Sequence, residues 1–153
     1  MVKVICWDMD GTIANLYGVD DWLNKLDAHD PSPYAEAAPM WDMARLSNLI
    51  SELMKKGIVI CITTWLSRAA TEEYKKQIRT AKREWLTRNN FPYDHFYGVR
   101  YGATKADSVR HLLAEGEEAI LVDDSAKVRA GWHLGETIDP TKTNILEWLA
   151  SLI

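Results

Sequence analysis

Two aspartates stand two residues apart near the start of the chain, directly after an apolar segment. Residues 4–12 read Val-Ile-Cys-Trp-Asp-Met-Asp-Gly-Thr, so a β-prone run delivers Asp8 and Asp10 to a chain reversal at Gly11. Two carboxylates at positions i and i+2 beyond a strand point to the same side, where together they could hold a divalent cation and perform covalent chemistry. In an open α/β sheet, ligands bind in the crevice beyond the carboxyl ends of the strands. The segment therefore indicates both the place and the chemistry of a site.

Polar side chains also follow three later β-prone segments. They are Thr63 and Thr64, then Lys105, then Asp123 and Asp124. Right-handed crossovers bring the carboxyl ends of parallel strands to one edge of a sheet, so we expect these side chains to converge with the first acidic pair. Each of them alone has an ordinary explanation as a helix cap or a surface residue. Their shared position at strand ends favours a common site.

The residue types at this edge suit phosphoryl transfer. Crowded carboxylates repel one another, which raises their pKa values, and a hard cation removes that cost. Oxygen ligands without a His or Cys cluster favour Mg²⁺ over Zn²⁺. A carboxylate could attack phosphorus to give an aspartyl-phosphate, and a second carboxylic acid could protonate the leaving oxygen and later activate water. A threonine hydroxyl and a lysine ammonium would donate to the remaining phosphoryl oxygens.

Apolar periodicity predicts strands and helices that alternate along the chain. The predicted strands are 2–7, 58–62, 96–100, 119–122 and 136–138. The predicted helices are 19–29, 39–56, 71–89, a helix from about 105 to 114, and 144–152. This alternation predicts an α/β fold, a three-layer Rossmann-like domain with a mainly parallel five-stranded sheet. Residues 1–153 are expected to form a single domain, with 14–39 as a small helical, cap-like insert after the first strand. The Lys- and Arg-rich face of helix 71–89 is interpreted as solvated.

Composition narrows the class of protein. The chain has 153 residues, of which 47% are hydrophobic, as is typical of a soluble globular domain. Its net charge of −4 argues against a nucleic-acid partner. No apolar run is long enough for a membrane span, Asp8 interrupts any leader-like segment, and Cys6 and Cys61 are expected to be reduced core residues. We expect a cytoplasmic monomer or homodimer with a small phosphorylated substrate.

The order of these parts resembles the four motifs of the haloacid dehalogenase (HAD) superfamily. The matching parts are Asp-Met-Asp-Gly-Thr at 8–12, a Thr after an apolar strand, a Lys, and Asp-Asp after another apolar strand. The resemblance implies that Asp8 is the nucleophile and that Asp10 is the general acid and base. It also implies that Mg²⁺ is held by the Asp8 side chain, the Asp10 backbone carbonyl, and Asp124 with Asp123.

The resemblance further implies that Thr63 and Lys105 bind the phosphoryl group and steady Asp8. Thr63 is favoured over Thr64 because it directly follows the apolar run, and Thr64 remains the alternative. We add Gly11, at the chain reversal, to the expected phosphate-binding residues. Family members that act on carbon–halogen bonds lack an acid at the position of Asp10, so its presence favours hydrolysis of a phosphate ester.

The size of the insert bears on the substrate. The chain leaves no room for a large cap domain, and in this it is similar to small-capped members such as the 5′(3′)-deoxyribonucleotidases. That similarity makes a (deoxy)nucleotide an expected substrate. Tyr17, Trp65 and Arg68 are the candidate substrate contacts. Trp22 and Tyr34 could extend an aromatic wall, although packing of the insert is the more common role for such residues.

Three other functions fit parts of the pattern. A phosphatase acting on nucleic-acid ends would use the same site, but the acidic net charge weighs against it. A phospho-acceptor signalling domain also uses Asp, Thr and Lys at the ends of parallel strands, in a different order from the one found here. A non-catalytic, HAD-like phosphate-binding domain would not need the intact set Asp8, Asp10, Lys105 and Asp123.

Overall fold

The computed structural model describes residues 1–153 and contains seven strands and seven helices. The strands are β1 (Val2–Trp7), β2 (Ala14–Asn15), β3 (Ala38–Pro39), β4 (Val59–Trp65), β5 (His95–Val99), β6 (Glu118–Val122) and β7 (Thr137–Ile138). The helices are α1 (Trp22–Asp27), α2 (Ser32–Glu36), α3 (Met43–Lys55), α4 (Glu72–Arg88), α5 (Ala106–Val109), α6 (Ala126–Ala130) and α7 (Ile145–Ser151). Short 3₁₀ turns cover Leu16–Gly18 and Arg110–Leu112.

Five of the strands form one parallel sheet in the order β5-β4-β1-β6-β7. Strand β1 is central, and its residue Cys6 lies in register with Cys61 of β4 and Leu121 of β6. Helices flank the sheet, so the predicted α/β, Rossmann-like architecture with a mainly parallel five-stranded sheet is confirmed. Because all five strands run in the same direction, their carboxyl ends meet at one edge.

The central strand alternates between two apolar cores, as the period of a strand requires. Ile5 and Trp7 belong to the larger core, which also contains residues of α3, α4 and α7. Val4 and Cys6 belong to a smaller core on the other face, with Val109 of α5. Cys6 and Cys61 are buried and unpaired, as predicted. None of the seven helices combines the length and the apolarity that a membrane crossing would need.

The insert after β1 is built differently from the prediction. The single helix expected over 19–29 is the shorter α1, and a second helix, α2, follows it with Pro33 in its first turn. Proline is tolerated in a first turn because its missing N–H would have no partner there. Two antiparallel two-residue strands, β2 and β3, close the base of the insert.

Strand β4 continues past the predicted boundary. It was expected to end at residue 62, but Thr63 and Thr64 lie inside it, opposite Tyr97 and Gly98 of β5. Threonine is β-branched and suits a strand, so the polar side chains did not end it. The helix expected over 39–56 begins only at Met43, because the Asp42 side chain accepts a hydrogen bond from the Arg45 N–H and caps the helix there.

Candidate active site at the carboxyl edge of the sheet

Three carboxylates meet where β1 and β6 end. Oxygen atoms of Asp8, Asp123 and Asp124 all lie within 4.8 Å of one another. Their positions follow from the pairing of the two strands, because the Asp8 N–H donates to the Val122 carbonyl at 3.0 Å. Asp8 and Asp123 are buried, and Asp124 is partly exposed. The predicted convergence of the first and last acidic motifs is therefore present in the fold.

Lys105, the residue directly before α5, bridges two of these carboxylates. Its Nζ donates to Asp8 Oδ1 at 3.0 Å and to Asp123 Oδ2 at 2.7 Å. Burial disfavours the ammonium, but the charges of Asp8 and Asp123 outweigh that effect and raise the pKa of Lys105. The side chain is therefore a fixed cation beside the nucleophile position that the sequence predicted.

Thr12 joins the two acidic segments and was not among the predicted site residues. Its hydroxyl lies 3.1 Å from Asp8 Oδ2, and it accepts a hydrogen bond from the Asp124 N–H at 3.2 Å. Next to it, Gly11 has a φ of +81°. A Cβ at Gly11 would lie 2.4 Å from Asp124 Oδ2, so only glycine fits this turn. The position of Thr12, two residues after Asp10 and next to Gly11, was the available signal.

The carboxylate cluster carries unbalanced negative charge. Burial, together with a hydrogen bond and charge from Asp8, raises the pKa of Asp124 to about 7. Burial and the charge of Asp8 likewise raise the pKa of Asp123, although Lys105 opposes this effect. The donors are all carboxylate oxygens, with no His or Cys among them, which is the chemistry that Mg²⁺ prefers. These residues therefore fit a hard divalent cation.

The Asp10 carboxylate lies outside that cluster and has its own cation. Asp10 Oδ2 accepts a hydrogen bond from Lys82 Nζ at 3.0 Å. Burial raises the pKa of Asp10, and the nearby Lys82 works against this shift. Lys82 belongs to the helix face that was interpreted as solvated, yet it is 0% exposed.

The sequence did contain a signal for Lys82. The residue falls on the apolar stripe of α4 at a spacing of four from the buried Ile78 and Leu86. A lysine that interrupts such a stripe needs a buried partner, and Asp10 provides it.

The two threonines of β4 have different surroundings, although both are fully buried. The Thr64 hydroxyl accepts a hydrogen bond from Lys82 Nζ at 2.6 Å. The Thr63 hydroxyl has no hydrogen-bond partner in the protein. Buried polar groups are almost always paired, so the unpartnered Thr63 hydroxyl is an exception, although neither threonine is among the residues that line the cleft at this edge.

A cleft of about 670 Å³ opens at this edge of the sheet, and the predicted phosphate-binding residues Gly11, Thr63 and Thr64 are not among the residues that line it. Both predicted catalytic acids line it, together with Lys105, Asp123 and Asp124. The insert forms one wall through residues of its 3₁₀ turn, α1 and α2: Leu16, Tyr17, Trp22, Leu23, Leu26, Asp27 and Tyr34. The site is thus a cleft between the sheet edge and the insert.

The three candidate substrate contacts all line this cleft. Tyr17 is 52% exposed and packs edge-on against Trp22. Trp65 donates from its indole N–H to the Ala103 carbonyl at 2.9 Å, and its ring lies against Tyr101. Arg68 is exposed at the rim. Tyr34 also lines the cleft, but it is only 4% exposed and packs in an apolar cluster between the insert and α4.

Comparison of the sequence with models of known protein families and with curated protein sequences finds no match.

Proposed function

We propose that the chain is a Mg²⁺-dependent phosphomonoester hydrolase of the HAD type, which works through an aspartyl-phosphate intermediate. One observation carries the proposal: three clustered carboxylates and the buried Lys105 share a cleft with a second, separately held acid. A nucleophile, a cation site and a general acid are the parts that this reaction needs.

Asp8 and Asp10 act in both steps of the proposed reaction, Asp8 as the nucleophile and Asp10 as the acid and then the base. An oxygen of Asp8 attacks phosphorus, the ester P–O bond breaks, and the leaving oxygen keeps the electron pair and takes a proton from Asp10. The Asp10 carboxylate then removes a proton from water, and the water oxygen attacks phosphorus. The bond from Asp8 to phosphorus breaks, which releases inorganic phosphate and restores the Asp8 carboxylate.

Asp8, Asp123 and Asp124, with the Asp10 backbone carbonyl, would hold the Mg²⁺. Such an ion would supply positive charge that offsets the negative charge of the phosphoryl group. When all four carboxyl groups are ionised, the two buried ammonium groups of Lys82 and Lys105 leave two negative charges, which one divalent cation would neutralise.

Lys105 and Thr63 are proposed to donate to the phosphoryl oxygens. The unpartnered hydroxyl supports Thr63 over Thr64, whose hydroxyl already accepts from Lys82. Gly11 is proposed as a further phosphate-binding residue because its turn packs directly against Asp124, where a side chain would not fit.

The cleft supports a small substrate with a flat group, and a (deoxy)nucleotide is the proposed class. The volume of the cleft lies within the usual range of small-molecule sites, about 300–1,000 Å³. Tyr17, Trp22, Trp65 and Tyr101 offer ring surfaces along it, while Arg68 at the rim offers a charge for a second anionic group. The two unpaired cysteines support a reducing, cytoplasmic location.

The proposal is tested with an aryl phosphate and added Mg²⁺. Asp8→Asn should lose turnover by at least 10³-fold while its thermal unfolding stays cooperative, because an amide cannot form the phosphoenzyme. Chelation by EDTA should silence the wild type, and excess Mg²⁺ should restore it. Asp20→Asn, an exposed carboxylate that lies outside the cleft lining, is the matched control and should retain full activity. Turnover by Asp8→Asn, or turnover in EDTA, would refute the assignment.

A further inference from the structure

Lys82 occupies an unusual place for a lysine. It lies in the middle of α4, is 0% exposed, and has Tyr34 beneath its ammonium group at 4.8 Å from the ring centroid. Its neighbours Lys76 and Arg83 on the same helix are exposed. An ion buried in this way costs several kcal/mol unless it is paired and hydrogen-bonded, whereas an apolar residue of similar volume would pack there at no such cost.

Every donor of the Lys82 ammonium is used, and every acceptor lies at the site. Nζ donates to Asp10 Oδ2 at 3.0 Å, to Thr64 Oγ1 at 2.6 Å and to the Trp65 carbonyl at 3.0 Å. An ammonium group has three donors, so none is left for another partner. The three bonds tie the segment after β1 to the last residues of β4.

This arrangement holds one oxygen of Asp10 and leaves the other free. Oδ2 accepts the bond from Lys82, while Oδ1 has no hydrogen-bond partner in the protein. The carboxylate is 18% exposed and lines the cleft. The rotation of the carboxylate is therefore restrained, with its unoccupied oxygen available to a substrate.

We propose that Lys82 is a positioning residue, which holds the Asp10 carboxylate in the orientation from which it exchanges a proton with the leaving group and with water. The inference rests on the proposed phosphatase function. Lys82 touches neither the phosphoryl group nor the leaving group, and it acts through Asp10. Misplacement of a catalytic group by about 1 Å can cost about 10²-fold in rate, so the effect of losing Lys82 should be large.

The test is a double-mutant cycle between Lys82→Met and Asp10→Asn, read with two substrates. With an alkyl phosphate, whose leaving oxygen needs a proton, Lys82→Met should slow turnover by about 10- to 100-fold. With 4-nitrophenyl phosphate, whose leaving group needs little protonation, first-turnover release of nitrophenolate should stay within about threefold of wild type. In the Asp10→Asn background, Lys82→Met should cause no further loss with either substrate.

Controls separate positioning from folding. Lys76→Met removes an exposed lysine of the same helix and should leave both rates unchanged. Lys82→Arg keeps a buried cation and should recover part of the alkyl phosphate rate. Should Lys82→Met fail to unfold cooperatively, Lys82→Gln, which keeps a donor without the charge, replaces it in the same cycle.

The outcomes distinguish this inference from the proposed function. Equal losses with both substrates, or a full additional loss in the Asp10→Asn background, would show that Lys82 is only structural and would overturn the inference while leaving the phosphatase intact. If Asp10→Asn itself leaves the alkyl phosphate rate unchanged, Asp10 has no acid–base role, and the inference fails together with that part of the proposed mechanism.

Discussion

At the scale of single residues, two buried lysines neutralise different carboxylates of the site. Lys105 pairs with Asp8 and Asp123, and Lys82 pairs with Asp10. Asp124 has neither lysine as a partner. It is therefore the carboxylate with the least compensated charge, in agreement with a pKa raised to about 7.

We predict that Asp124→Asn stabilises the metal-free protein. The unfolded aspartate has a pKa near 3.8 and the folded one about 7, so the folded state retains a proton that the unfolded state has lost. The contribution of Asp124 to stability therefore falls as the pH rises from about 4 to about 7, and changes no further above that range. Asp124 is partly exposed, so after allowance for solvent screening the substitution should add only about 1 kcal/mol at pH 8, or about 2–4 °C in Tm.

Thermal unfolding in EDTA at pH 8 and at pH 5 measures this effect. The gain should shrink at pH 5, where the wild-type carboxyl is protonated, and Asp20→Asn should show no gain at either pH. Mg²⁺ should raise the Tm of the wild type and not that of Asp124→Asn, because one ligand is missing. A metal-free Asp124→Asn protein less stable than wild type would contradict the charge repulsion described above.

At the scale of elements, α4 connects the insert to the site. Its residue Lys82 contacts Asp10, while three other side chains hold the insert, one of them Arg88, which donates to the Ala35 carbonyl. The Tyr74 hydroxyl donates to the Asp30 carbonyl at 3.0 Å, and the Trp85 indole N–H donates to the Ala37 carbonyl at 2.7 Å. The wall of the cleft is thus attached to the same helix that holds the acid.

We predict that Tyr74→Phe loosens the insert without altering the sheet. The substitution removes one buried hydroxyl and leaves the Asp30 carbonyl without that donor, at a cost of about 1 kcal/mol. Limited proteolysis should cut within residues 19–31 faster than in the wild type, since local opening becomes easier. Tyr93→Phe, whose hydroxyl makes no hydrogen bond in the protein, is the control and should be cut at the wild-type rate. Equal cleavage of all three proteins would show that the Tyr74 bond does not hold the insert.

The sequence predicted those parts of the fold and the site that depend on local pattern. Asp8 and Asp123 each follow four consecutive apolar strand residues, Val4–Trp7 and Ala119–Val122, so the parallel direction of the sheet brought them together. The role of Lys82 could be predicted only by knowing which face of α4 is buried. Because lysine is charged, its position was assigned to the solvated face. The end of β4 was placed too early because pairing with β5, a contact distant in sequence, extends the strand through both threonines.

At the scale of the whole molecule, net charge separates small substrates from polymeric ones. The chain carries a net charge of −4, and its site holds more carboxylates than ammonium groups. A polyanion would gain little from such a surface, because tight binding of nucleic acid rests on cations that displace counterions.

We predict that a nucleoside monophosphate is hydrolysed at least about tenfold more efficiently than the same nucleotide at the end of an oligonucleotide. The release of phosphate from each substrate, measured between 50 and 300 mM salt, gives the two kcat/KM values to be compared. The kcat/KM for the oligonucleotide should not fall steeply as salt rises, since few phosphate contacts form. A steep decrease with salt would instead favour a phosphatase that acts on nucleic-acid ends.

The pairing of β1 with β6 has a consequence for how the chain folds. Val4 lies beside Ala119, so these neighbours in the sheet come from opposite ends of the sequence. Closing so long a loop is a slow event for a folding chain, and Asp8 meets Asp123 only after it has happened. A divalent cation bound as proposed would therefore stabilise the sheet only after it has formed, and would not guide its assembly.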